Sequence, residues 1–142
     1  MNAAADLSRF TAAHRRSYQT ALSEIRNGRK INHWMWFIFP QIQGLGSSPN
    51  ARYYAIRDLD EAAAFLRDPY LGGNLVEISR ALLELGERDP RAVFDPPDDM
   101  KLRSCMTLFS LLSEEDSVFH RVLDQYFEGK PDRRTLRILR MP

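Results

Sequence analysis

The sequence predicts an all-α, mainly helical domain spanning residues 1–142. In segment after segment apolar residues recur at steps of three and four, and capping residues, glycines and prolines punctuate those segments where helices should start and stop. One helical core accounts for every strong apolar stripe, and no internal repeat, low-complexity tract or linker divides the chain.

The elements follow in order. Leu7, Phe10, His14, Tyr18, Ala21, Leu22 and Ile25 form one face of an amphipathic helix, with Asp6 placed to cap it and Asn27-Gly28 to close it. Trp34 to Phe39 is too short and too continuously apolar for periodicity to choose between a short extended segment and a buried helix, although Pro40 argues against a central strand. Gly44 to Asn50 has the composition of a loop. Asp58, followed three residues later by Glu61, is a capping signal that opens a short helix ending at Asp68-Pro69. Leu71, Leu75, Ile78, Leu82 and Leu85 mark the next helix, interrupted early by Gly72-Gly73 and closed by Gly86. Asp89-Pro90 starts one or two turns through Phe94, and the rigid acidic loop Asp95 to Asp99 follows. Asp98 or Asp99 caps a helix whose buried face is Leu102, Cys105, Met106, Phe109 and Leu112. Ser113 to Asp116 opens another, with Val118, Phe119, Val122, Leu123, Tyr126 and Phe127 inward and Gly129 as its stop, and Asp132 to Leu139 makes a last short helix rich in arginine.

Composition limits the function classes. A chain of 142 residues with 44% hydrophobic, 27% charged and 11% aromatic residues has the balance of a globular protein. Twenty basic and nineteen acidic residues leave a formal charge of +1, so no global field draws in nucleic acid or an anionic membrane, and any anion specificity must be local. Cys105 is the only cysteine, which excludes an intrachain disulfide and points to a reducing, cytoplasmic setting. The first ten residues lack the layout of a signal peptide, and the longest apolar run, Trp34 to Phe39, is far short of the ~20 residues a membrane helix needs. His14, His33 and His120 are too scattered for a metal-ligand spacing, and no cofactor fingerprint is present, so neither metal nor cofactor is expected.

Chemistry concentrates in two places. Around Lys30 to Gly46, Trp34, Trp36, Phe37 and Phe39 stand between the basic pair Arg29-Lys30 and a polar, glycine-rich stretch that includes Gln41 and Gly44. Aromatic faces, a cation and exposed amides together suit a planar anionic ligand, and core packing is the competing role for the same aromatics. Around Asp99 to Thr107, Lys101, Ser104 and Thr107 step by three along one helix face and could converge on a phosphate or sugar, or form an ordinary solvated face. Asp95, Asp98 and Asp99 are the densest carboxylate cluster. Asp99 and His33 are the candidate acid or base, while Cys105 with His33 makes a poor dyad because Cys105 lies on an apolar stripe.

Gly28-Arg29-Lys30-Ile31-Asn32-His33-Trp34-Met35-Trp36-Phe37-Ile38-Phe39-Pro40-Gln41, then Gly44-Leu45-Gly46-Ser47, then Lys101-Leu102-Arg103-Ser104-Cys105-Met106-Thr107-Leu108-Phe109, resembles domain of unknown function 1810, a family whose members are sometimes labelled calpastatin in bacterial genomes. The likeness extends from Leu7-Ser8-Arg9-Phe10 through Tyr53-Tyr54-Ala55-Ile56, Glu61-Ala62 and Tyr70-Leu71-Gly72 to Phe127-Glu128-Gly129, with one departure at Phe94-Asp95-Pro96-Pro97, where Phe-Gly is expected. The resemblance implies a mainly helical bacterial cytoplasmic protein and brings no catalytic residue with it. Nothing in these residues supports the inhibition of a calcium-dependent protease. A looser similarity, to the helical family acting on riboflavin intermediates and ADP-ribosylated guanine, is the source of an enzyme hypothesis and, as an analogy of fold class, does not establish function.

The leading expectation is therefore a small-molecule site of nucleotide or ADP-ribose-like chemistry, lined by Lys30, His33, Trp34, Trp36, Gln41, Gly44, Lys101, Ser104 and Thr107. If catalytic, it would hydrolyse or transfer at a glycosidic or phosphoester bond. The rival is a non-catalytic interaction or homodimerisation domain that uses exposed members of the Trp34 to Phe39 run as a hot spot.

Overall fold

The computed structural model describes residues 6–142, of which nine helices make up 63% and in which no strand occurs, in keeping with the all-α reading. They are α1 (Ser8–Arg26), α2 (Met35–Ile38), α3 (Pro49–Tyr53), α4 (Leu59–Arg67), α5 (Pro69–Glu84), α6 (Pro90–Val93), α7 (Asp98–Ser110), α8 (Val118–Phe127) and α9 (Arg133–Ile138). α7 is the central post. It packs against α4, α6, α8 and α9, while α5 bridges α1, α4 and α8 on the other side of the core.

Local chemistry explains most boundaries. Asp58 Oδ1 accepts the Glu61 N–H at 2.8 Å to start α4, and Asp68 Oδ2 accepts from Tyr70 and Leu71 to start α5 one residue after α4 ends. Ser117, Asp89 and Asp132 cap α8, α6 and α9 in the same way. Gly72 does not interrupt α5. Its missing Cβ lets the end of α4 cross closely, since a Cβ there would stand 1.9 Å from the Leu66 carbonyl oxygen. At the far end of α5, Gln125 Nε2 reaches the carbonyls of Leu82, Leu83 and Glu87, and Tyr126 Oη donates to Leu82 at 2.6 Å, so α8 satisfies groups that α5 leaves open.

Trp34 to Phe39, open in sequence between an extended segment and a buried helix, contains the single helical turn α2, and five of its six bulky residues share the core from several directions. Three expectations are corrected. Ser48 and Pro49 act as N-cap and first-turn proline of α3 inside the stretch read as loop, with the Ala51 N–H donating to Ser48 Oγ at 3.1 Å. Neither Asp98 nor Asp99 caps α7, which starts after Pro97 with both acids in its first turn. Ser113 does not open α8, since its hydroxyl turns back to the Phe109 carbonyl at the end of α7 and Ser117 takes the capping role.

The α1–α5 seam holds a buried histidine against a partly buried asparagine. His14 is 1% exposed. Its Nε2 lies 2.9 Å from the Phe37 carbonyl oxygen, which can only accept, so Nε2 carries the proton and Nδ1 accepts from Asn74 Nδ2 at 3.1 Å. Burial drives its pKa down to about 4, against the opposing pull of the Phe37 carbonyl and Asp68. Between that value and the ordinary imidazole value near 6.5 the unfolded chain binds the extra proton, so stability is full above about pH 6.5 and falls as pH drops towards 4. Urea unfolding at pH 5 should show a loss of about 2 kcal/mol relative to pH 7, and His14→Gln should flatten that slope. A wild-type midpoint constant across this window would refute the assignment.

Candidate functional site

The site is built on a loop that a single carboxylate organises. Glu24, in the last turns of α1, is 8% exposed and accepts from Ile31 N (2.7 Å), Asn32 N (2.9 Å), Asn32 Nδ2 (2.6 Å) and the Trp34 indole Nε1 (2.9 Å). Burial works to raise this carboxyl, but the four N–H donors outweigh it and hold it below its usual range. Trp34 is thereby fixed in the core against Phe39 and Phe94, at ring-centroid distances of 6.2 and 6.5 Å.

With Trp34 inward, α2 turns Trp36 outward, leaving it the only partly exposed member of the Trp34 to Phe39 run. The chain then forms a parallel bridge between Ile42 and Ile56. Gln43 N donates to the Ile56 carbonyl and Ile56 N to the Gln41 carbonyl, both at 2.8 Å, and the closed loop carries α3 as a wall. Gly46 sits so close to α3 that a Cβ there would meet Ala51 Cβ at 2.6 Å.

A cavity of about 460 Å³ opens between these parts. Met35, Trp36 and Phe39 form one side, Gln41 to Ser47 with Ala51 and Tyr54 another, Met100, Lys101 and Ser104 of α7 a third, and Asp132 and Arg134 the end supplied by α9. Lys101 Nζ lies 5.6 Å from the Trp36 ring centroid and 3.3 Å from Asp98 Oδ1. The other oxygen of Asp98 takes Lys30 Nζ at 2.9 Å, and Lys30 in turn lies 5.2 Å from the Trp34 ring centroid. Two lysine–tryptophan pairs therefore meet across one carboxylate, Lys30–Trp34 enclosed in the structure and Lys101–Trp36 facing the cavity.

The buried end of the cavity is a hydroxyl and carboxylate network. Thr107 Oγ1 donates to the Arg103 carbonyl and accepts the Asp132 N–H, both at 2.8 Å. Asp132 Oδ2 accepts from Thr135 N (2.9 Å) and Thr135 Oγ1 (2.6 Å), and Thr135 Oγ1 lies 2.9 Å from Ser104 Oγ.

Of the sequence-predicted residues, Trp36, Gln41, Gly44, Lys101 and Ser104 line the cavity. Lys30 does not line the cavity and contacts it only indirectly, through the Asp98 carboxylate it shares with Lys101, while Trp34 stands in the core and Thr107 lies beyond the lining, holding the Asp132 backbone. The alternative of a solvated face for Ser104 and Thr107 is overturned, since they are 3% and 0% exposed. His33 is exposed on the loop before α2. Asp99 is buried in the first turn of α7, with Oδ1 lacking a hydrogen-bond partner among the described residues, and neither His33 nor Asp99 lines the cavity. Among the described residues no three His, Cys, Asp or Glu side chains gather as a metal ion would need. Cys105 is fully buried in the core, and burial pushes its thiol pKa well up, so it is a packing residue.

Sequence reasoning did not include Asp132, Arg134, Tyr54 or Met100 in the site. α9 returns to α7 from roughly thirty residues away, and no local pattern announces that contact. A signal for the burial of α7 was present: Ser104 to Ser113 contains no charged side chain, which marks a helix enclosed on most sides.

Fold and cavity together define an all-α protein whose central helix is enclosed and whose lined cavity opens at that helix's N-terminal end. A family model described as "Protein of unknown function (DUF1810)" matches residues 4–139, and the chain belongs to that family. It is also similar to the crystal structure of the conserved hypothetical protein Rv1873 from Mycobacterium tuberculosis, at 43% identity and a TM-score of 0.92, covering 96% of this chain and 98% of that one. No curated protein matches it. No helix among the described residues is long and apolar enough to cross a membrane.

The Glu24 clamp yields a test of how the site is held. Glu24→Ala strands the buried Trp34 indole N–H and frees the loop that positions α2, so chemical denaturation should show a loss of about 3 kcal/mol. Glu24→Gln keeps one acceptor but introduces a donor facing N–H groups, and should fall between the two. A loss under about 1 kcal/mol for Glu24→Ala would show that the loop is held by packing alone.

Proposed function

We propose that the cavity binds a small anionic ligand with a planar face, of nucleotide or ADP-ribose-like chemistry. One observation carries the reading: Trp36, the outward aromatic of an otherwise buried run, and Lys101, 5.6 Å from its ring centroid, both line a cavity of about 460 Å³. That volume lies within the range of about 300–1,000 Å³ typical of small-molecule sites. Lys101 and Arg134 supply cations, Trp36 a stacking face, and the glycine-bearing stretch from Gly44 to Gly46 close backbone approach. The groups that reach the cavity are amine, guanidinium, hydroxyl and carboxylate. They suit proton transfer and charge stabilisation, so hydrolysis or transfer at a glycosidic or phosphoester bond is the chemistry such a site would support.

A second reading, a non-catalytic interaction or homodimerisation surface, draws on exposed Met100 (46%) and Ile138 (41%), the former on the cavity wall and the latter packed beside Gly44. It can no longer draw on the Trp34 to Phe39 run, which is buried apart from Trp36.

Thermal unfolding against nucleotides, NAD, ADP-ribose, flavin precursors and sugar phosphates separates the two. A ligand at about 100 times its dissociation constant should add roughly 2.7 kcal/mol, or about 5 to 10 °C, and the gain should disappear in Trp36→Ala and Lys101→Ala. No shift with any compound, together with a dimer in analytical ultracentrifugation that Met100→Glu dissociates, would favour the interaction surface.

A further inference from the structure

Resting on the ligand-site reading, we infer that the cavity combines buried acceptors with more exposed cations and selects a phosphorylated sugar, free or as the ribose phosphate of a nucleotide, with Asp132 as the residue that reads its hydroxyl groups. The inference follows from where the protons of the buried network must lie. An ionised carboxylate can only accept, so the single Thr135 hydroxyl proton is committed to Asp132 Oδ2, 2.6 Å away. Thr135 Oγ1 must then accept from Ser104 Oγ at 2.9 Å, and Ser104 keeps only lone pairs to offer. Asp132 Oδ2 also takes the Thr135 N–H, so both of its Thr135 contacts fall on one oxygen and Oδ1 is the oxygen outside that pair.

Two buried residues of the lining, Ser104 (3% exposed) and Asp132 (8%), thus present acceptors alone. The more exposed cations of the lining, Lys101 and Arg134, carry donors alone. Gln41 and Gln43 offer both and adapt to either. A ligand that satisfies both sets of groups brings hydroxyl donors to Ser104 and Asp132 and an anion to Lys101 and Arg134. An all-acceptor anion such as inorganic phosphate would satisfy the cations and be repelled from Asp132, whereas the hydroxyls and phosphate of a sugar phosphate match both sets.

The network is also pinned in place. Thr107 Oγ1 holds the Asp132 backbone N–H at 2.8 Å, and the Thr135 contacts fix the carboxylate plane, so the acceptor is preorganised before a ligand arrives.

The test compares ribose phosphate with deoxyribose phosphate, AMP with its dideoxy counterpart, and inorganic phosphate, by calorimetry on the wild type and Asp132→Asn. Asparagine caps helices as well as aspartate does, and its carbonyl must stay on Thr135, so its amide replaces the free acceptor with a donor while the fold is kept. The wild type should favour at least one hydroxylated probe over its deoxy counterpart by about ten-fold or more. In Asp132→Asn that preference should collapse, while inorganic phosphate binds as well or better because a negative charge has gone. Preference within the ribose phosphate pair assigns the free sugar, and preference confined to the AMP pair assigns the nucleotide. Equal affinities within both pairs would overturn the inference and leave the ligand site standing, binding of none of the probes would overturn both, and a preference that survives in Asp132→Asn would remove Asp132 from the role.

Discussion

The Glu24 carboxylate is the constraint on which the site depends. An acidic group this enclosed is tolerable only if its charge is met by donors, and four N–H groups from the Ile31 to Trp34 stretch meet it. Those bonds direct the Trp34 indole into the core, and that placement decides the rotation of the single turn that follows. With Met35, Phe37 and Ile38 inward, Trp36 is the residue left facing out. The outward aromatic is thus the by-product of an internal electrostatic clamp set by a carboxylate twelve residues earlier in the chain.

The second organising feature is the enclosure of α7. Because α4, α6, α8 and α9 surround it, its small polar residues cannot be solvated, and each is answered by a protein partner. Thr107 and Ser110 return to carbonyls within the helix, and Ser104 and Thr107 also reach into the start of α9. The same bonds that make a polar central helix tolerable therefore place Asp132 and Arg134 at the cavity. Packing and site construction are here one set of interactions, so changes to Ser104 or Thr135 should be read as changes to both.

What the sequence disclosed was local. Asp58 and Asp89 announced helix starts through chemistry that acts over two or three residues, whereas Asp68, read only as the end of α4, also caps α5; the stripe of α1 was legible because one face meets solvent throughout. Trp34 to Phe39 could not be resolved, since a run buried on nearly all sides has no periodicity to read. α3 was hidden by its setting: Ser48-Pro49 is a good helix start, but Gly44 to Ser47 before it gave the whole stretch the look of a loop. At the site, Lys101, Ser104, Trp36, Gln41 and Gly44 were chosen for their chemistry and do stand together, whereas Asp132 and Arg134 reach them only through the return of α9, a tertiary contact with no local signature.

The arrangement around Asp98 shows why similar residue pairs take different roles. Lys30 over Trp34 and Lys101 over Trp36 share one carboxylate, yet the Lys30 side chain is 9% exposed and that of Lys101 26%. A lysine as enclosed as Lys30 needs its counter-ion close by, and its 2.9 Å contact with Asp98 supplies it. The longer 3.3 Å contact leaves Lys101 the less tightly held of the two, and one carboxylate cannot neutralise two ammonium groups. The cluster therefore keeps a net positive charge, and the more accessible lysine presents it to the cavity beside a partly exposed indole. In a chain whose overall charge is only +1, that local imbalance is the charge that the proposed anionic ligand would meet.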